Sequence, residues 1–432
     1  MNLKGKSGAK AAVLAAILGV ELFGTSCGDY FRPVANPILL PGGDPQRTAH
    51  AVVVSSNGSN PGAAVVIDVS GDTNAGTFTV GRNPVHAAFI SGTDYSVNQA
   101  DYNLNAFQLA VAGSQQDAPN DIISLPGPTK SAPNAPPASP VFAAAAGGKL
   151  FVAEPGLGNQ VADIAPGSEA PSAQITVGHN PVALVATPDG TKLYCLNHDD
   201  SSVSVIFPAT DQVITTIPLA PTGASPFWGA VSSDGTRVFV VNQGSSTVSV
   251  IDTTSDTVVD TFPHAAAGET IGAGPNYIVF QASLNRAYIT SPAGNSLSII
   301  DNNMGTMQTR SLAAAPCNAQ HPISVTALAD GTRVYVADDV TSSVCVLNTT
   351  NNTFTKSIPV GTAPVFIASN SDSTRVYTAN SGSADVSIIQ TSSDTTVKQN
   401  DGVTPLTICA GPTVPGAPCT STFSPKFIAM TP

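Results

Sequence analysis

The stretch Pro181-Val-Ala-Leu-Val-Ala-Thr-Pro-Asp-Gly-Thr-Lys-Leu-Tyr-Cys-Leu-Asn197 is followed shortly by Val203-Ser-Val-Ile206. A second copy opens at Pro226, runs Phe227-Trp-Gly-Ala-Val-Ser-Ser-Asp-Gly-Thr-Arg-Val-Phe-Val-Val-Asn242, and is followed by Val248-Ser-Val-Ile-Asp252. A unit of about 45 residues that recurs along a chain marks a propeller or a solenoid, because each unit buries its apolar face only against the next.

Each unit holds four short runs rich in Val, Ile, Thr and Tyr, divided by turn residues. Runs of that length and composition are strands, not helices. Asp189-Gly190, Asp234-Gly235 and Asp330-Gly331 fall between the first two runs, where a tight hairpin needs the positive φ that glycine tolerates. Four-stranded antiparallel units in series build a β-propeller. Second strands are expected at Ala49–Val54, Tyr95–Gln99, Leu150–Ala153, Lys192–Leu196, Arg237–Val241, Arg286–Thr290, Arg333–Ala337 and Arg375–Ala379, which makes eight blades. Seven is the alternative if the weak copy at 84–126 is not a blade. The end of the chain, Ser424 to Pro432, reads as a first strand with nothing after it, while the fold opens near Ala49 on a second strand lacking a first. The two pieces complete one blade and leave no open edge. Residues 46–432 are therefore expected to form one all-β domain.

Arg333-Val-Tyr-Val-Ala-Asp338, Arg375-Val-Tyr-Thr-Ala-Asn380 and Arg237-Val-Phe-Val-Val-Asn242 resemble the signature of the Tyr-Val-Thr-Asn (YVTN) β-propeller repeat family. The trailing Val-Ser-Val-Ile-Asp and the leading Asn-Pro or Ala-Pro match as well. The resemblance covers nearly all of residues 46–432. It implies a propeller, related to lactonase-like propellers in which seven blades are commonest, and a place at the cell envelope or outside the cell.

The N-terminus reads differently. Lys4, Lys6 and Lys10 precede an apolar stretch, Ala11 to Val20, which is too short to span a bilayer, and small residues Gly24-Thr-Ser26 follow. This is the pattern of a signal peptide over residues 1–26. Cys27 directly after it resembles the acylated cysteine of a bacterial lipoprotein, although Glu21 and Gly24 depart from that motif. The plainer reading is an ordinary signal with an incidental cysteine. Residues 27–45 would then be an envelope tether.

The chain carries a net charge of −12, and removing residues 1–26 with their three lysines and one glutamate takes it to −14. Such a surface disfavours nucleic acid and anionic membrane, so membrane contact is expected only through the lipid. Cys409 and Cys419 close a short Pro/Gly loop, and Cys317 and Cys345 fall within one repeat. Both pairs are candidate disulfides in an oxidising compartment, and Cys195 reads as a small buried hydrophobe.

In antiparallel blades the loops after the second strand and between blades share one face. That face gathers Arg82, Asn83 and His86, then His179, His198, His321 and Asp338, together with two insertions, Pro126–Ser139 and Gln399–Phe423. Loops on a rigid scaffold are natural places for a ligand, so these residues are the binding candidates. Turn chemistry explains many of them without one: the residue before proline is held extended, and Asp is an ordinary turn former. The Lys or Arg after Asp-Gly-Thr (Lys192, Arg237, Arg333) recurs and reads as a repeated structural contact.

Enzyme signatures are scarce. Beyond the leader only Glu154, Glu169 and Glu269 are glutamates, and no Gly-x-Ser-x-Gly, His-Glu-x-x-His or phosphate loop occurs. No catalytic residue, metal site or cofactor is assigned. A divalent cation on Asp199, Asp200, Asp338 and Asp339 is the weakest reading, since these residues come from different blades. The expectation is a monomeric, non-catalytic envelope propeller that binds a protein or a carbohydrate, and a lactonase-like hydrolase is the alternative.

Overall fold

The computed structural model describes residues 50–108, 121–126, 137–156, 158–399, 401–412, 419 and 422–431. The leader, Cys27 and the tether at 27–45 lie outside them. Eight antiparallel sheets are present, seven of four strands and one carrying an additional short strand. Their innermost strands begin at Pro84, Phe142, Pro181, Pro226, Tyr277, Pro322, Pro364 and Ser424, and each touches the next in a closed circuit. The weak copy is a full blade, with strands Pro84–Ile90, Thr93–Asn98, Asn103–Phe107 and Asp121–Ser124. The ring has eight blades.

Blade 1 is built from both ends of the chain. The C-terminal strand Ser424–Met430 pairs antiparallel with His50–Asn57, aligning Met430 with Ala51 and Phe427 with Val54. Asn60–Asp68 and Thr73–Arg82 complete the blade outward. The core lies between blades. Tyr194, Leu196 and Val205 of blade 4, for example, pack on Val238, Val240 and Ile251 of blade 5. Each such side chain contributes about 1.5–3 kcal/mol on burial, so no blade is stable without its neighbours.

The recurring residues have separate tasks at the two ends of each blade. On the face of the first-to-second and third-to-fourth turns, the basic residue and the tyrosine reach the next blade. Lys192 Nζ (2.7 Å) and the Tyr194 hydroxyl (2.7 Å) both donate to Asp256. The Tyr335 hydroxyl donates to Asp394 at 2.6 Å, with Arg333 3.1 Å away. Arg375 (2.9 Å) and Tyr377 (3.2 Å) hold Asp72 in the same way across the seam. Each of these aspartates adopts positive φ, between 49° and 53°, a conformation that Asp tolerates better than most residues. Blades 5 and 6 depart from the pattern: Phe239 lacks the hydroxyl and faces Gly305 in the next turn, the Tyr288 hydroxyl faces Asn352 and no carboxylate, and Arg237 and Arg286 pair instead with Asp252 and Asp301 of their own blades. The repeated Lys or Arg is thus a structural contact.

At the other face the asparagine ending the second strand clamps the loop that follows. Asn197 Nδ2 donates to Ser202 Oγ (3.0 Å) and Ser204 Oγ (2.9 Å). Asn242 and Asn380 make the corresponding pairs of bonds. One expectation fails locally. The residue before the strand-opening proline is not extended in Asn83, Ser139, Asn180, Ser225 or Ala363, whose φ values lie between 47° and 56°. A register shift in the first residues of the inner strand accompanies the turn in four of the five, all but the one after Ser139, and the Asn at two of these positions suits the left-handed region.

Both cysteine pairs are bonded, with Cα separations of 5.4 Å for Cys317–Cys345 and 5.1 Å for Cys409–Cys419. Paired structural cysteines belong to an extracytoplasmic protein. Cys195 is free and fully buried, and burial pushes its thiol up.

Candidate functional site

The loop face carries most of the sequence candidates, and the structure keeps them in separate small networks. Arg82 Nε donates to Asp101 at 2.6 Å, and Asn83 Nδ2 to Gln99 at 3.0 Å. On blade 4 the backbone N–H of His179 donates to Asp200 at 2.7 Å, while its Nδ1 lies 2.7 Å from the other oxygen of the same carboxylate. His198 Nδ1 lies 2.7 Å from Asp199, which also accepts from Asn180 Nδ2. These bonds hold both carboxyls below the usual range: the His179 backbone N–H is foremost for Asp200, and the His198 side chain for Asp199.

On blade 7 Asp338 is almost completely buried. It accepts the N–H groups of Gln320 and His321 on one oxygen, and the N–H and hydroxyl of Thr341 on the other. His321 Nδ1 meets Asp339 at 2.8 Å. Asp338 therefore ties the incoming loop to the outgoing one. Among the described residues no three His, Cys, Asp or Glu side chains are grouped to hold a metal ion.

The insertions differ from each other. The first leaves and returns at one point, where the Ala138 N–H donates to the Pro126 carbonyl at 3.0 Å and Ala138 is fully buried; residues 127–136 lie outside the described set. Part of the second is blade, not mouth. Thr395–Thr396 and Thr407–Cys409 both pair with Asp385–Gln390 and together form the outer edge of blade 8, with Val397, Leu406 and Ile408 packed into the core. Beyond Cys409 the Ala410 N–H donates to the Ala384 carbonyl at 3.0 Å, and residues 413–418, 420 and 421 lie outside the described set.

His86 stands apart from the other histidines. It sits two residues past Pro84 on the innermost strand of blade 2, only 6 % exposed. Its ring lies between Phe142 of blade 3 and Phe427 of blade 1, at 4.0 Å from each centroid. The circuit continues from Phe142 to Trp228 (5.2 Å), Trp228 to Tyr277 (4.7 Å), Tyr277 to Phe366 (5.4 Å) and Phe366 back to Phe427 (4.2 Å). All six occupy the second position after a strand-opening proline. Blades 4 and 7 place Ala183 and Ser324 there, which leaves room for the rings on either side to meet. The result is a closed aromatic belt in the channel, just below the loop face. Burial lowers the His86 pKa to about 3, so the imidazole is neutral. Nδ1 accepts the Ala143 N–H at 3.4 Å, which puts the ring proton on Nε2, and Nε2 has no partner.

The sequence reading placed His86 at the mouth with the other histidines and missed the belt. Aligning the eight strand-opening prolines and reading two residues on is the signal that finds it.

Glu154 is the other unexpected group. It takes the position of the clamping asparagine in blade 3 and is fully buried, with neither carboxyl oxygen hydrogen-bonded in good geometry. Burial raises its pKa to about 8, so it is mainly protonated at neutral pH.

No protein-family model and no curated protein sequence matches the chain. Solved structures do share its architecture. The periplasmic gluconolactonase PpgL of Pseudomonas aeruginosa is 16 % identical, with a TM-score of 0.54 over 89 % of this chain and 99 % of that one. AztD of Citrobacter koseri is 13 % identical, with a TM-score of 0.58 over 89 % and 98 %. The dihydro-heme d1 dehydrogenase NirN is 12 % identical, with a TM-score of 0.64 over 88 % and 77 %. At such identities the likeness is one of fold: the chain is an eight-bladed β-propeller whose structural neighbours are lactonase-like and related propellers.

Proposed function

We propose that this protein is a non-catalytic binding propeller of the bacterial cell envelope, a monomer that presents its loop face to a partner and is tethered by lipid at Cys27. One observation carries the reading. The polar groups of the loop face that resemble catalytic groups are already engaged in holding turns, as Asp338 is by four donors. An aromatic belt stands in the channel beneath them, where a catalytic set would need ionisable groups. The reading also assigns the chain to the Tyr-Val-Thr-Asn repeat propellers, supported by the separate inter-blade and intra-blade tasks of its Arg, Tyr and Asn. The hydrolase alternative draws on the gluconolactonase likeness and predicts turnover of lactones by the purified protein.

The test replaces residues 127–136 with a short Gly/Ser linker. The neck at Pro126 and Ala138 is closed by its own hydrogen bond, so the fold should survive. Capture of partners from envelope extracts should fall. Unchanged capture by the loop-swapped protein, or lactone turnover by the wild type, would overturn the reading. The anchor is tested separately: a labelled fatty acid should mark the wild type and not Cys27→Ser.

A further inference from the structure

We propose that His264 is a proton-operated latch that keeps the connection between blades 5 and 6 docked on the outer strands of both, closed while its imidazole is charged and loosened once it is neutral. The connection, residues 263–276, runs from the outer strand Thr257–Phe262 to the inner strand that opens at Tyr277, and is twice as long as the 219–225 connection before it. It lies on the loop face. Within it only Pro275 is buried, so packing contributes little to its position and polar contacts must hold it. Those contacts converge on two residues. The Glu269 carboxylate is 6 % exposed and accepts the His264 N–H on Oε2 at 2.8 Å and the Met307 N–H of the blade 6 outer strand on Oε1 at 2.7 Å. The His264 ring reaches both sides: Nε2 lies 2.8 Å from Asp260 of the blade 5 outer strand, and Nδ1 lies 3.1 Å from Glu269.

A neutral imidazole has one N–H and donates to only one of two carboxylates, whereas the imidazolium donates to both. The geometry is therefore that of the charged form. Once the ring is neutral, a nitrogen lone pair faces a carboxylate oxygen and that contact becomes repulsive. The groups facing the ring are Asp260 from its own blade, Glu269 from the connection and the Phe262 ring, its centroid 4.5 Å away. Blade 6 presents the Met307 N–H to Glu269, and its charged Arg310 is engaged with Gln308 and the Asn352 carbonyl of blade 7. The hydrogen bond to Asp260, foremost, and the charges of both carboxylates raise the His264 pKa above its ordinary 6.5. The latch is therefore closed below pH 6.5 and opens as pH rises through the folded value. It acts within the connection, so its test does not depend on partner capture by the loop face.

Amide hydrogen exchange on the purified full chain reads the latch directly. The bonded N–H groups of His264, Ala267, Gly268, Glu269 and Met307, corrected for the intrinsic pH dependence of exchange, should lose protection severalfold between about pH 6 and about pH 9. The 219–225 connection, which contains no ionisable side chain, should not. His264→Gln keeps a neutral donor and does not titrate, so protection of its connection should not vary with pH. In isotope-labelled histidine NMR spectra, the resonance missing from His264→Gln should titrate with a midpoint above 6.5 in the wild type. Asp260→Asn, at a part-exposed position, should lower that midpoint, and it identifies the resonance if His264→Gln fails to fold. The proposal is overturned if the wild-type connection keeps its protection across this range, if folded His264→Gln loses protection with pH as the wild type does, or if the His264 resonance titrates at or below 6.5.

Discussion

Asp72→Ala tests whether the seam is held by more than strand pairing. The Asp72 carboxylate is 5 % exposed and takes Arg375 Nε at 2.9 Å and the Tyr377 hydroxyl at 3.2 Å, joining blade 8 to the N-terminal half of blade 1. Removing one partner of a buried ion pair costs about 3–5 kcal/mol. Arg375 is 22 % exposed and keeps a bond to the Thr374 carbonyl, so the loss should lie at the lower end, about 3 kcal/mol. Unfolding entropy near 2.1 cal/mol/K per residue gives about 0.8 kcal/mol/K for a ring of this size, and hence a fall in Tm of about 4 °C. Circular dichroism melts would measure it, with Asp256→Ala at the blade 4–5 joint as control. The two variants should lose similar stability, but only the seam variant should become sensitive to proteolysis within residues 50–82. An Asp72→Ala protein that melts with the wild type would show that the inter-blade contact contributes nothing and that the strand pairing alone closes the ring.

A joint that lacks this contact offers the reverse experiment: Phe239→Tyr combined with Gly305→Asp recreates the hydroxyl–carboxylate pair between blades 5 and 6, and should raise stability by about 1 kcal/mol in a thermal melt. Neither single variant should reach that gain, since a buried hydroxyl without its acceptor is a cost. Glu154 should make stability fall as pH rises. Its folded pKa of about 8 lies above its unfolded value, so its contribution is fully present below pH about 4.5 and is lost toward pH 8, at up to about 1.4 kcal/mol per pH unit. Glu154→Gln should flatten that limb in denaturant titrations, and an unchanged pH slope would refute the assignment.

The ring was legible in the sequence because strand-forming runs and Asp-Gly turns repeat at a fixed period, and because a lone first strand at Ser424 matches a lone second strand at His50. The recurrence of Lys192, Arg237 and Arg333 also identified them as scaffold before the aspartates they meet were known, although Arg237 meets one in its own blade and not in the next. Other features resisted reading because they depend on contacts between repeats. His86 looked like a mouth residue because Asn83-Pro84 marks the loop face. That it turns inward between Phe142 and Phe427 depends on side chains contributed by blades 1 and 3. The insertion Gln399–Phe423 looked like a loop throughout because its Gly, Pro and polar residues break the strand pattern, yet Thr407–Cys409 within it completes the outer edge of blade 8. The left-handed residue before Pro84, Pro181, Pro226 and Pro364 was missed because the local preference for an extended residue there gives way to a turn that is followed by a register shift.

The seam also sets the side of the ring on which the chain enters. His50 and Thr431 are joined by hydrogen bonds of 2.7 Å and 2.9 Å at the end of blade 1 that bears the Asp72 turn. The chain therefore enters the ring on the side opposite the histidine-bearing loops. Under the proposed anchor at Cys27, the tether and the histidine-bearing loops would therefore be attached on opposite sides of the ring, so that a partner on the loops and the tether would not compete for one face.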